Sequence, residues 1–304
     1  MTGGGTGPIG GAAGPSAEAL PGDWLPVAGR KIWLVEARPA SAPGEGESGV
    51  ETVILLHGIP TSSYLWRNVQ RVLSKRFRVL APDLLGLGRS ERHPRVDVSL
   101  RANAGMVSEL MRLKRVPRAH VVAHDIGGGV AHILAADFRE KIDRFVLVDV
   151  VAFKEDWPVP LVALLRAPVL GDLLSLLPAG PNLRYNLRRG VHHKDRIAGA
   201  VWRNLHAPNR TLADRRAFLR FIRAMDPADV DDALRRWTGH AAKDPLLSLI
   251  LWGREDPFLP PRLAAKLRDA IPGATLEILE EAGHFVQEDE PDLLAERIAA
   301  FLSA

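Results

Sequence analysis

The chain has 304 residues, of which 46% are hydrophobic and 25% charged, the profile of an ordinary water-soluble globular domain with a sizeable core. It contains no cysteine, which excludes disulfides, thiolate metal sites and a cysteine nucleophile. The formal charge is +4, but Lys and Arg are scattered and make no nucleic-acid footprint. Their densest group, Arg184, Arg188, Arg189, Lys194 and Arg196, reads first as a solvated helix face and second as a guide for anionic substrates.

Residues 1–22 hold eight glycines and three prolines with no Lys or Arg. They lack the basic start and apolar middle of a signal peptide and read as a disordered tail. Strand-like runs follow at Trp24 to Val27 and Lys31 to Ala37, joined by Ala28-Gly29-Arg30 as a hairpin. Further runs lie at Thr52 to Leu56, Arg78 to Pro82, His120 to Ala123 and Phe145 to Val151, with helical patterns between them such as Leu100 to Leu113 and Gly128 to Phe138. From Ala152 to about Lys243 the pattern is helical without a clear strand. Strands resume at Leu247 to Trp252 and Thr275 to Leu279, alternating with helices at Pro261 to Ala270 and Pro291 to Leu302. This alternation predicts an α/β fold, a mostly parallel eight-stranded sheet flanked by helices. Residues 23–151 and 246–304 form its core, and 152–245 form an inserted helical cap over the carboxyl ends of the strands, where ligands bind in such sheets. The stretch Val159 to Leu177 is too interrupted, by Arg166, Pro168 and Asp172, to span a bilayer. It is expected to line the cap side of a pocket, a membrane-surface helix being the lesser alternative.

Chemistry-bearing residues stand just past predicted strand ends. After His120 to Ala123 comes His124-Asp125-Ile126-Gly127-Gly128-Gly129, a polar residue among small ones at a strand-to-helix turn. This is the pattern of a nucleophile elbow with a carboxylate where serine is usual; no serine in the chain has the G-x-S-x-G context. Asp125 taken alone is equally an N-cap. Asp256, in Gly253-Arg-Glu-Asp256-Pro, and His284, in Glu281-Ala-Gly-His284-Phe, each follow a later strand. The order nucleophile, acid, histidine is the one this architecture uses. Separately, Asp256 reads as a turn residue and His284 as a helix cap; together they read as orienting acid and general base for Asp125. Asp149, at the end of the Phe145 to Val151 strand, reads as a turn residue or a reserve acid. His57-Gly-Ile-Pro60 follows the Thr52 to Leu56 strand. The backbone N–H groups of Ile59 and Ile126 are the expected oxyanion donors, with His57 and Asp83 holding loops together.

Together these residues resemble the aspartate-nucleophile branch of the α/β-hydrolases, the haloalkane dehalogenases and epoxide hydrolases, over roughly Trp24 to Ala304. The run His57 to Asn68 is most similar to the dehalogenases. The resemblance implies that Asp125 displaces a leaving group to form an aspartyl ester, which water activated by His284 then hydrolyses. The leading expectation is a haloalkane dehalogenase-like hydrolase, the alternative an epoxide hydrolase, and a non-catalytic ligand-binding protein stands behind both. The chain departs from the pattern at two places: dehalogenases commonly hold the halide with Trp after the nucleophile and Asn in the His-Gly motif, and here stand Ile126 and Ile59, which donate no side-chain hydrogen bond. Leaving-group donors are therefore sought in the cap, among Trp157, Trp202, Tyr185, His192, His193 and His206, with Tyr185 and Trp157 the first choices. Arginines that clamp a haloacid are absent after Asp125, and epoxide hydrolases use two cap tyrosines where this cap has one. The expected substrate is a small hydrophobic molecule, with water. No cofactor, metal, nucleic acid or membrane partner is expected, the protein being a cytoplasmic monomer or homodimer.

Overall fold

The computed structural model describes residues 16–40, 49–156, 160–240 and 244–304. Eight strands, β1 (Asp23–Val27), β2 (Arg30–Ala37), β3 (Thr52–Leu56), β4 (Arg78–Pro82), β5 (Ala119–Asp125), β6 (Ile142–Val150), β7 (Ser248–Gly253) and β8 (Thr275–Leu279), form one sheet in the order β1-β2-β4-β3-β5-β6-β7-β8. The β1–β2 and β2–β4 pairs are antiparallel and every other pair is parallel. β1 and β2 meet in a hairpin through Ala28 and Gly29, both at positive φ.

The central strands are apolar on both faces because helices cover both. In β3, Ile54 and Leu56 join one apolar cluster while Val53 and Leu55 join another; in β5, Val121 and Ala123 face the first and Val122 the second. On the first face lie α2 (Leu100–Leu113), α3 (Ile126–Asp137) and α10 (Arg262–Ala270); on the second lie α1 (Arg67–Leu73) and α12 (Pro291–Ser303). The short α11 (Val286–Asp289) leads into α12.

Between β6 and β7 the described chain is helical: α4 (Pro160–Arg166), α5 (Leu170–Leu176), α6 (Gly180–Arg189), α7 (Gly199–His206), α8 (Leu212–Ala224) and α9 (Pro227–Gly239). Phe221, Ile222 and Val230 of this insertion share one apolar cluster with Ile126, Val150 and Val151 at the strand ends. Leu183, Leu187, Val201 and Leu205 form another with Tyr64, Leu65 and Phe285. The insertion thus sits over the carboxyl end of the sheet.

Residues 1–15 of the expected tail lie outside the described residues. From Ser16 the chain is tied to α1: the Ser16 N–H donates to Asn68 Oδ1 at 3.0 Å, Arg67 Nε donates to the Ser16 carbonyl at 2.6 Å, and the Tyr64 hydroxyl donates to the Ala17 carbonyl at 2.6 Å. No described helix is long and apolar enough to cross a membrane.

Candidate active site

Asp125 ends β5 with φ 52° and ψ −122°, a conformation L-residues avoid and one associated with functional turns. The turn requires glycine around it. A Cβ at Gly127 would stand 2.6 Å from the Leu56 carbonyl oxygen, and one at Gly58 would stand 2.3 Å from Cβ of Asp125. Asp125 begins α3 but its side chain makes no capping bond to it. Instead its Oδ1 accepts the N–H of Ile59 at 2.8 Å. Burial raises the carboxyl pKa above its ordinary value, opposed by the His284 charge and by the amides of Ile126 and Ile59.

His284, past β8, places Nδ1 2.7 Å from Oδ2 of Asp256 and Nε2 3.6 Å from Oδ2 of Asp125. Asp256, past β7, also does the work of a turn residue, since its Oδ1 accepts from the amides of Phe258 at 2.7 Å and Leu259 at 2.9 Å. Burial by itself would push the His284 pKa down; the charge and hydrogen bond of Asp256, with the Asp125 charge, reverse this and raise it. All three side chains are buried. The structure therefore brings together Asp125, His284, Asp256 and the Ile59 and Ile126 amides.

Asp149 lies in β6 at φ 45°, its Oδ1 accepting the Gly253 N–H at 2.9 Å. Its Oδ2 is buried with no hydrogen-bond donor among the described residues. Atoms of Asp149, Asp256 and His284 lie within 4.8 Å of one another. Burial, then the Asp256 charge, hold the Asp149 carboxyl well above the usual carboxylate range. A proton on Asp149 removes the repulsion between the two carboxyls, so it stands behind Asp256 as a neutral acid.

His57 and Asp83 organise loops. His57 Nδ1 donates to the Gly58 carbonyl at 2.9 Å and Nε2 accepts from the Leu84 amide at 3.0 Å, a neutral ring whose pKa burial lowers. Asp83 accepts the amides of Ser63 at 2.7 Å and Arg89 at 2.6 Å.

Tyr185 is not at this site: it is 65% exposed, because α6 buries Leu183 and Leu187 and turns Tyr185 away. Tyr64, the other tyrosine, is committed to Ala17. Trp157 lies outside the described residues. Trp202 stacks on His206, and His192 and His193 face Glu255 and Glu290. The expectation that Val159 to Leu177 lines a pocket is corrected as well: Val162 is buried, but Leu164, Val169, Leu170, Leu173, Leu176 and Leu177 are exposed; Val159 lies outside the described residues. A cavity of about 570 Å³ opens between β2, α1, the loop after β4 and the insertion, and none of Asp125, His284 or Asp256 lines it.

Several supporting residues escaped the sequence. His124 Nε2 donates to the His284 carbonyl at 2.9 Å. Burial, then the His284 charge, keep its pKa well below the ordinary histidine value, so the ring is neutral. Its place before Asp125 is the only signal it carries. Asp289 accepts the amides of Gly283 at 2.9 Å, His192 at 2.8 Å and His193 at 2.9 Å, fastening the insertion to the His284 loop. Arg67 and Glu288 form a buried two-bond pair at 2.5 and 2.7 Å. Nothing local in the sequence signals contacts between positions so far apart.

The sequence matches the family of the alpha/beta hydrolase fold over residues 51–291. The chain belongs to the α/β-hydrolase family. The chain is 28% identical to a cis-3-alkyl-4-alkyloxetan-2-one decarboxylase of Xanthomonas campestris, over 88% of this chain and 94% of that one. It is also 28% identical to haloalkane dehalogenase 2 of Mycobacterium tuberculosis, over 81% of this chain and 86% of that one. Among solved structures, an alpha/beta hydrolase fold protein from Burkholderia ambifaria superposes with a TM-score of 0.78 at 26% identity, over 91% of this chain and 97% of that one.

Proposed function

We propose that this hydrolase works through an ester on Asp125 with a neutral, apolar substrate. The observation that carries this reading is the division of labour between the two oxygens of one carboxylate. Oδ1 is held by the Ile59 amide, and Oδ2 is turned toward His284. Oδ2 attacks an electrophilic carbon and its electron pair forms the ester bond as the leaving group departs. His284, fixed by Asp256, then takes a proton from water, and the hydroxide adds to Cγ of Asp125. Charge develops on Oδ1, already beside the Ile59 N–H, so the donor needs no rearrangement. Collapse of this intermediate breaks the Cγ–Oδ2 bond, the departing alkoxide takes the proton held by His284 and leaves as the alcohol, and the added hydroxyl loses its proton to solvent to restore the carboxylate.

The test is trapping. In His284→Gln the first step proceeds and the second stalls, so intact-protein mass spectrometry of that variant, given a substrate the wild type turns over, is expected to show the added substrate mass on Asp125. An unmodified protein rejects the ester.

For the leaving group, hydrolysis of a carbon–halogen bond is the first reading, supported by the dehalogenase relative. A second reading, a strained alkyl-substituted four-membered lactone, is favoured by a specific observation: Ile59 and Ile126 offer no side-chain donors to a departing halide, and Tyr185, Trp202, His192, His193 and His206 are exposed or engaged elsewhere. A ring oxygen stays tethered as it leaves, and the Xanthomonas relative is named for such a substrate. Bromide release from a haloalkane panel, set against loss of an alkyl oxetanone, separates the two. Epoxide opening finds less support, since neither tyrosine is at the site.

A further inference from the structure

We propose that the outer face of α4, α5 and α8 in the helical insertion docks on an anionic lipid surface. This goes beyond the reaction and does not depend on it. A surface helix of a soluble domain normally turns its apolar stripe inward. In α5 the order is reversed. Its buried residues are Gly171 and Ser175, one turn apart, and a Cβ at Gly171 would stand 2.0 Å from the Leu165 carbonyl oxygen. Small residues thus let α5 lie close on α4, and the bulky ones face out: Val169 is 69% exposed, Leu173 57% and Leu177 59%, with Leu164, Leu170 and Leu176 beside them. Contiguous exposed leucine of this kind marks an interaction surface.

Charge selects the partner. The helices of this face, α4, α5 and α8, carry five Arg (Arg166, Arg215, Arg216, Arg220 and Arg223) against two Asp (Asp172 and Asp214), a balance of +3 in a chain of net +4. Arginines bracket α5. Arg215 donates to the carbonyls of Ser175 and Leu176, Arg223 binds both oxygens of Asp172 at 3.0 and 2.9 Å, and Arg216 is exposed on α8. Asp172, the one acid of α5, is therefore neutralised. A second copy of this chain on the same face would set one net basic surface against another, which like-charge repulsion opposes. A nucleic acid would leave the leucines without a use. An anionic bilayer surface accepts both features: leucines enter the acyl boundary and arginines remain at the headgroups.

The test is co-sedimentation of the full chain with vesicles of phosphatidylglycerol and phosphatidylcholine in equal parts, and with phosphatidylcholine alone. Wild type is expected to pellet with the anionic vesicles, about tenfold more weakly with the neutral ones or at high salt. Leu173→Gln/Leu176→Gln/Leu177→Gln is expected to weaken binding about tenfold at unchanged circular dichroism, and Leu177→Gln alone serves if the triple variant does not fold. Wild type remaining in the supernatant with anionic vesicles, or variants binding as wild type does, overturns the proposal. So does a wild-type dimer in sedimentation velocity that the substitutions dissociate while vesicle binding is absent, since the occupant is then a second copy.

Discussion

Nδ1 of His284 lies 2.7 Å from Oδ2 of Asp256, and the same Asp256 carboxylate uses Oδ1 to hold the turn at Phe258 and Leu259. One side chain therefore fixes both the loop and the ring that the loop must orient. Because Asp256 raises the His284 pKa, the acid limb of the kcat/KM profile is expected above the ordinary histidine value of about 6.5. A base must be neutral, so activity rises with pH through that limb. Asp256→Asn removes the stabilising charge, moves the limb to lower pH and lowers kcat by about 10²–10⁴-fold. An acid limb that does not move in that variant would separate His284 from the rate.

Gly58 is the point where the backbone passes closest to Asp125, and a single methyl there would collide with the carboxylate. Gly58→Ala is expected to lower turnover by about 100-fold or more by displacing the reacting oxygen, while circular dichroism stays native. Wild-type turnover in this variant would show that the Asp125 carboxylate sits elsewhere when it reacts.

Asp149 makes a stability prediction with a definite sign. Its pKa in the native state is well above its unfolded value of about 3.9, so the folded chain keeps a proton that the unfolded chain releases. Stability from this group is complete below about pH 4 and declines as pH rises toward the native pKa, by about 1.4 kcal/mol per pH unit. Asp149→Asn keeps the shape and the acceptor for the Gly253 amide but removes the titration. Urea unfolding between pH 5 and 8 is expected to show a shallower loss for the variant; parallel curves would mean that Asp149 is ionised in the native state.

The Arg67–Glu288 pair is buried on both sides. Glu288→Gln strands a buried guanidinium and is expected to cost about 3–5 kcal/mol in urea unfolding. Arg67→Met/Glu288→Leu removes both charges and should recover much of that. A double variant no more stable than the single one would assign the cost to packing rather than charge.

The strands and the loops bearing Asp125, Asp256 and His284 were legible because short apolar runs ending in a polar turn are local signals, and the sheet brings their ends together. The fate of the insertion's side chains was not legible. Tyr185 and the leucines of α5 stand on helices whose pattern permits several orientations; Leu183 and Leu187 decide one, and Gly171 with Ser175 the other. Asp149 was open between turn residue and acid until its Gly253 bond and its place behind Asp256 were seen.

The sequence by itself determined that a carboxylate stands at the elbow, that an acid and a histidine follow in order, and that the two positions flanking the reacting group are isoleucine. These are properties of residue type and spacing along strands, where side chains alternate by a fixed period. Only the tertiary structure decided which oxygen of Asp125 is held and which is turned to His284, that Asp149 stands behind Asp256 within a few ångströms, and that α5 presents leucine outward. The first two are contacts between segments far apart in the chain, the third is set by how closely two helix backbones can approach, and none of the three is written in any local stretch of residues.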